Sequence, residues 1–276
     1  MRILKLILDF YINSSIHVAI AVSCLSRITL IQFDISYDTN VLYFIFFATI
    51  TGYNFIKYFG LAKFHHRRLA NWLKTIQLFS LCCFIVLLYY SYQLNSKTLI
   101  YVFGTGIITF LYAIPFFPKR LFIDEKQNLR GIKGLKIYVI AFIWVGVTVF
   151  MPLVNNNFQI NFDVIITAIQ RFLFVIVLMF PFEIRDMRFD NLKLSTIPHQ
   201  IGVKNTKIVG SSLLMGFFFL EFFKNETSSK SIVILALVVS ATFLFLIFSK
   251  EKRTKYYSSF WVEALPILWL ILMLIS

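Results

Sequence analysis

Glu183-Ile184-Arg185-Asp186-Met187-Arg188-Phe189-Asp190 closes an apolar run over residues 172–182. The run has the character of a membrane span, and three carboxylates sit where it ends. The chain carries only 13 acidic residues against 27 basic ones, so three within eight positions stand out. In a helix Glu183, Asp186 and Asp190 fall at i, i+3 and i+7 and share one face. A carboxylate row at the mouth of a membrane bundle suits a hard divalent cation and, through it, a phosphate. A solvated acidic loop end is the plainer reading of the same residues.

Working outward, the rest of the chain is equally apolar. Of 276 residues, 59% are hydrophobic and 14% are charged. Soluble domains carry about 25% charged residues. An all-α integral membrane protein is expected, as one domain over residues 1–276 with no evident cleavable signal peptide. About nine transmembrane helices are legible, near residues 12–33, 41–62, 75–94, 98–117, 135–154, 162–183, 207–223, 231–249 and 258–275.

The net charge of +14 points to nucleic acid only until its placement is considered. The N-terminus and alternate loops hold 21 of the Lys and Arg residues, and the opposite loops hold 3. That asymmetry follows the positive-inside rule, with the N-terminus cytoplasmic and the C-terminus outside. The basic excess therefore reads as topology and contact with anionic membrane lipid, not as a nucleic-acid surface. The expected location is the bacterial inner (plasma) membrane. Cys24, Cys82 and Cys83 fall inside spans, without metal-ligand spacing, and read as small packing residues.

Two further stretches give the carboxylate row a context. The fourth span ends in Tyr112-Ala113-Ile114-Pro115-Phe116-Phe117-Pro118-Lys119-Arg120. The carboxylates are followed by Ser195-Thr196-Ile197-Pro198-His199-Gln200-Ile201-Gly202. With nine spans and an acidic motif after the sixth, the chain resembles the UbiA superfamily of membrane prenyltransferases. Arg185, Asp186 and Asp190, then Thr196-Ile197-Pro198, then Gly202, are similar to the second Asp-rich motif of members that prenylate quinone precursors.

The resemblance implies a helical bundle with a central cavity. It implies a polyprenyl diphosphate donor held through magnesium (Mg2+), and alkylation of a hydrophobic acceptor such as a quinone precursor. It makes Asp186 and Asp190 the magnesium ligands. Arg185, Lys119 and Arg120 become diphosphate contacts, with Arg67, Arg68, Tyr112, Glu183 and Arg171 as further substrate-binding candidates. The chemistry is coherent. Diphosphate departure builds negative charge that cations stabilise, and an apolar cavity keeps water from the carbocation.

One half of the pattern is missing. The first Asp-rich motif of the family reads Asn-Asp-x-x-Asp-x-x-x-Asp. With its Asn on Asn54, the acidic positions fall on Phe55, Tyr58 and Ala62. Magnesium held from one side only binds more weakly. Asn54, Lys57 and Tyr58 are the catalytic candidates of this frame, with Lys57 supplying charge in place of one metal ion. Alternatively the protein binds a prenyl lipid without turning it over, or the bundle serves membrane assembly. Taken singly, Lys57 also fits ordinary snorkelling, and Asn54 fits an interhelical hydrogen bond.

Several other polar residues lie at membrane depth. Arg171, in the sixth span, either lines an acceptor pocket or pairs with an acid or a backbone carbonyl for packing. Glu263 is expected near the same cavity, and Glu221 and Arg27 near the outer interface. His17 reads as a hydrogen-bonded core histidine and His199 as a solvated loop residue. Gly104 and Gly106 read as a site of close helix packing.

Overall fold

The computed structural model describes residues 2–64, 71–113, 134–188 and 196–276. Of the site candidates, Arg67, Arg68, Lys119, Arg120 and Asp190 fall outside these residues, as does the Tyr112 side chain. Among the described residues the chain is helical, without strands. In order come α1 (Arg2–Asn13), α2 (Ile16–Gln32), α3 (Thr39–Phe64), α4 (Asn71–Ser91), α5 (Ser96–Ala113) and α6 (Leu135–Val145). A π-helical turn (Gly146–Phe150) joins α6 to α7 (Met151–Asn155). Then follow α8 (Phe162–Asp186), α9 (Ile197–Phe219) and α10 (Ser229–Ile247). A second π-helical turn (Tyr257–Val262) leads into α11 (Leu265–Ile275).

Among the described residues, seven segments are long and apolar enough to cross a membrane alone. Helices α1 and α2 qualify as a pair bent by 54°, and α5 is a shorter apolar helix. Together they fall at the nine positions expected from the sequence. Two boundaries differ. Helix begins at Arg2, not near residue 12, and breaks at Ser14 and Ser15, where Ser15 takes a left-handed φ of 64°. The seventh span begins at Ile197, not near residue 207, and is kinked at Gly202. Both were hidden because breaks inside apolar helices leave hydropathy unchanged.

Helix α2 is the spine of the bundle. It packs against α3, α11 and the first π turn, and its residues are buried nearly all round. Helix α8 packs on α6 and α9 and reaches α2 through the Arg171 side chain. Phe174, Phe180, Phe217 and Trp269 fill the centre. Peripheral α4 turns Leu78, Leu81 and Ile85 outward, as a lipid-facing helix does. Gly104 and Gly106 are not packing sites, since a Cβ on either would meet nothing within 4 Å.

The π turns matter to the packing. Widening the helix frees carbonyls from the i→i−4 ladder. Side chains of α2 take up one carbonyl in each turn. Thr29 Oγ1 donates to Thr148 O at 2.7 Å. His17 Nε2 meets Phe260 O at 2.8 Å, and its Nδ1 meets the Tyr11 hydroxyl at 2.8 Å. Because Phe260 O only accepts, Nε2 carries the proton and Nδ1 accepts from Tyr11. His17 is thus a hydrogen-bonded core residue.

Candidate functional site

A cavity of about 490 Å³ opens between α3, α5 and α6. One face of α3 supplies Ile45, Ala48, Gly52, Phe55 and Ile56, at spacings that return every turn. Val102, Thr105 and Phe110 of α5 and Ile140 and Trp144 of α6 complete the wall. Trp144 Nε1 donates to the Tyr53 hydroxyl at 2.8 Å, so the α6 side is fixed to α3. The lining is overwhelmingly apolar, and its charged members are Lys57 and Lys136.

The two lysines occupy the same end of this cavity. Helices α3 and α6 are separated by two spans and run antiparallel. From the Tyr53–Trp144 contact, Lys57 lies one turn onward along α3. Lys136 lies about two turns back along α6. Lys57 Nζ donates to Ser15 Oγ at 2.8 Å. No ion pair involves either lysine among the described residues. In the sequence Lys136 is one of many basic residues at span ends. Its position one residue into an apolar helix was the available signal.

The other candidates of the first motif serve a different purpose. Asn54 is buried, with 3% of its surface exposed, and does not line the cavity. Its Nδ2 donates to Ser14 O at 2.9 Å and to Ser80 Oγ at 2.7 Å. Its Oδ1 accepts from Ser15 Oγ at 2.8 Å. The Tyr58 hydroxyl donates to Asn13 O at 2.8 Å. Asn54, Lys57 and Tyr58 therefore converge on the break between α1 and α2, where orphaned backbone groups need partners. Asn54 and Tyr58 are tied up there, and only Lys57 also reaches the cavity. Phe55, at the first acidic position of the family pattern, puts a phenyl ring on the cavity wall.

The described part of the carboxylate row, Glu183 and Asp186, sits at the end of α8. Glu183 is buried, and Asp186 is half-buried. Arg185 Nε and Nη2 both contact Asp186 Oδ1 at 2.7 Å. Arg185 Nη1 also donates to Ser258 Oγ at 2.6 Å and Ser259 Oγ at 3.2 Å. This ties α8 to the second π turn. Glu263 lies beside that turn and acts electrostatically on both Lys57 and Arg185. It therefore links the cavity end to the carboxylate row. Thr196 stands at the N-cap of α9 with Pro198 in its first turn, so the Thr-Ile-Pro stretch opens a helix. His199 Nδ1 bonds the Thr196 hydroxyl at 2.8 Å, so it is not merely solvated.

Arg171 is fully enclosed and does not line the cavity. Its Nη1 donates to Leu25 O at 2.9 Å, Nη2 to Thr29 Oγ1 at 3.3 Å, and its guanidinium lies 5.2 Å from the Trp269 ring centre. It fastens α8 to α2 and α11. Glu221 is likewise buried, accepting from Gln170 Nε2 at 2.9 Å and Lys224 Nζ at 2.7 Å, instead of reaching the outer interface. Arg27 stacks on Tyr37, 4.6 Å from its ring centre.

Magnesium, implied by the resemblance, can be tested against these donors. It wants hard oxygen ligands in near-octahedral array. Among the described residues, the cavity wall offers two ammonium groups and a phenyl ring there, and no carboxylate. Among the described residues no three His, Cys, Asp or Glu side chains gather to hold a metal. The described residues of the first-motif side do not fit a divalent ion. Asp186 on the opposite side has the right chemistry but is engaged by Arg185.

Fold and site together define an integral membrane helical bundle built round an apolar cavity with cations at one end. Its architecture is similar to that of solved membrane proteins. A digeranylgeranylglyceryl phosphate synthase matches with TM-score 0.59 and 16% identity, over 100% of this chain and 98% of that one. A UbiA homologue from Aeropyrum pernix K1 matches with TM-score 0.61 and 14% identity, over 96% and 97%. A UbiA homologue from Archaeoglobus fulgidus matches with TM-score 0.55 and 12% identity, over 100% and 98%. No family model matches the chain, and no curated protein matches it in sequence. The chain has a UbiA-type fold.

Proposed function

We propose that this protein is a membrane prenyltransferase that moves an isoprenoid chain from a polyprenyl diphosphate to a hydrophobic acceptor, with quinone precursors the first class to try. The observation that carries it is the apolar cavity, closed at one end by Lys57 and Lys136, inside a UbiA-type bundle. The cavity takes the isoprenoid tail and excludes water from it. The cationic end takes the head. The allylic C–O bond breaks with its electron pair on the departing diphosphate. The acceptor then bonds the allylic carbon and gives up a proton. Negative charge grows on the leaving oxygen, where fixed ammonium groups stabilise it most. Asp186, with Asp190, remains the place for magnesium, which would neutralise leaving-group charge when bound. The proposed orientation puts this end in the cytoplasm, from the distribution of Lys and Arg.

A second reading is favoured by Phe55 and Asn54. With a ring in place of an acid and the asparagine fully bonded, the bundle would hold a prenyl lipid without turning it over. Purified protein with labelled prenyl diphosphates and a panel of aromatic acceptors, with and without magnesium, separates the two. Prenylated product supports transfer. Bound donor with no product from any pair supports the binder. Asp186→Asn is expected to reduce turnover at least about tenfold, and an unchanged rate would rule out a metal role there.

A further inference from the structure

We infer that Lys57 and Lys136 bind the diphosphate of the prenyl donor directly, and that donor binding does not need a divalent ion. The inference rests on the donor class proposed above and concerns how its head is held. Four observations carry it. First, among the described residues the only charged groups in the cavity wall are these two ammoniums, on antiparallel helices at the same end. Second, neither lies within ion-pair distance of a carboxylate among the described residues, and Glu263 acts on Lys57 only at longer range. A cation that lines a membrane cavity without an ion-pair partner points to an anionic ligand. Third, the acidic positions nearest Lys57 are Phe55 and Tyr58, and Tyr58 is engaged at Asn13 O. Among the described residues, nothing on that wall could bridge a metal to phosphate. Fourth, the Lys57 ammonium donates to Ser15 Oγ, which is itself held by Asn54 Oδ1 at the helix break, so the charge is positioned before any ligand arrives.

The physical trade is clear. A metal bridge between carboxylate and phosphate needs acid, metal and phosphate together. Replacing the acid by lysine changes the sign of the wall, and the ammonium then contacts phosphate with no intermediary. The cost is geometric. Lysine is a point charge on a flexible stem, so preorganisation by Ser15 carries more weight than it would beside a metal.

The test is binding of geranylgeranyl thiolodiphosphate, a slow-reacting donor analogue, to the full chain in lipid nanodiscs. Affinity is measured in EDTA and in magnesium. The wild-type dissociation constant should differ by less than about threefold between the two buffers. Lys57→Gln and Lys136→Gln should each weaken binding in EDTA by about tenfold or more, the loss of one charge-assisted contact. Lys57→Arg should keep most of the affinity. Lys136 makes no bond at the helix break, so its variant reports on the head group even if Lys57→Gln disturbs folding. Geranylgeraniol, which lacks the anion, should bind at least about tenfold more weakly and be indifferent to both substitutions. Phosphatidylglycerol nanodiscs compared with phosphatidylcholine nanodiscs separate a lipid headgroup from a prenyl diphosphate. Full displacement of the probe by the anionic lipid overturns the inference. So does binding that appears only with magnesium, or glutamine variants that bind like wild type. Magnesium-dependent binding would leave the prenyl-donor reading standing, whereas no binding in either buffer would remove that reading as well.

Discussion

Arg171 shows how a single side chain at membrane depth can mislead. From sequence it was an equal candidate for a pocket or for packing. The structure places it on Leu25 O, Thr29 Oγ1 and the Trp269 ring, away from the cavity. Two terms oppose each other. Charge-assisted bonds contribute about 1.5–3 kcal/mol, and burying the charge costs several kcal/mol. Arg171→Met keeps the volume and removes both terms. It should shift stability by less than about 1 kcal/mol. Arg171→Ala also opens a void and should cost about 2–4 kcal/mol more. Thermal unfolding in detergent measures both, and neither variant should change ligand affinity at the cavity. Among the motif residues, the Asn54 position was legible because its spacing matched a family frame. Its partners were not, since Ser14, Ser15 and Ser80 come from other helices. Lys136 was missed for a similar reason. It resembles every other lysine at a span end until α3 folds against it.

Helix breaks and close approaches decide how the spans assemble. At Gly210 a Cβ would fall 2.6 Å from Leu246 Cδ2 and 3.0 Å from Phe180 Cδ2, where α8, α9 and α10 meet. Gly210→Ala should therefore destabilise by about 1–3 kcal/mol through overpacking. Gly202 fails for another reason. Its φ of 80° and ψ of 159° belong to glycine, although a Cβ there would touch nothing. Gly202→Ala should cost about 1–3 kcal/mol in backbone strain alone. Gly104→Ala is the control. It sits in regular helix with open space beside it and should be neutral, or stabilising by up to about 1 kcal/mol. Equal unfolding midpoints for all three would refute this account. Hydropathy located the spans because a bilayer demands about twenty apolar residues. It was blind to the 54° bend at Ser14 and Ser15, because that bend is held by side chains of α3.

For the bundle as a whole, the proposed orientation rests on where the lysines and arginines lie. Lys252→Cys, between the eighth and ninth spans, should react with an impermeant maleimide only after cells are opened. Glu226→Cys, between the seventh and eighth, should react in intact cells. Both are made in a background with Cys24, Cys82 and Cys83 replaced. Reactivity in the reverse order would invert the topology and move the cavity's cationic end to the opposite membrane face. The fold was readable in advance because membrane spans, their number and their charge bias are each written locally along the chain.

Composition, span count and the Arg185–Asp186–Thr196–Gly202 pattern were properties of the chain alone, because each depends on neighbours a few residues apart. They sufficed for the UbiA-type architecture and for naming candidates for one half of a site. The other half required tertiary contacts. Only folding revealed that Asn54 and Tyr58 anchor the first helix break, that Arg171 is a fastening, and that Lys57 and Lys136 share one apolar cavity. The physical reason is distance along the chain. Lys57 and Lys136 lie on helices with two spans between them, and their common cavity exists only once α3, α5 and α6 pack together.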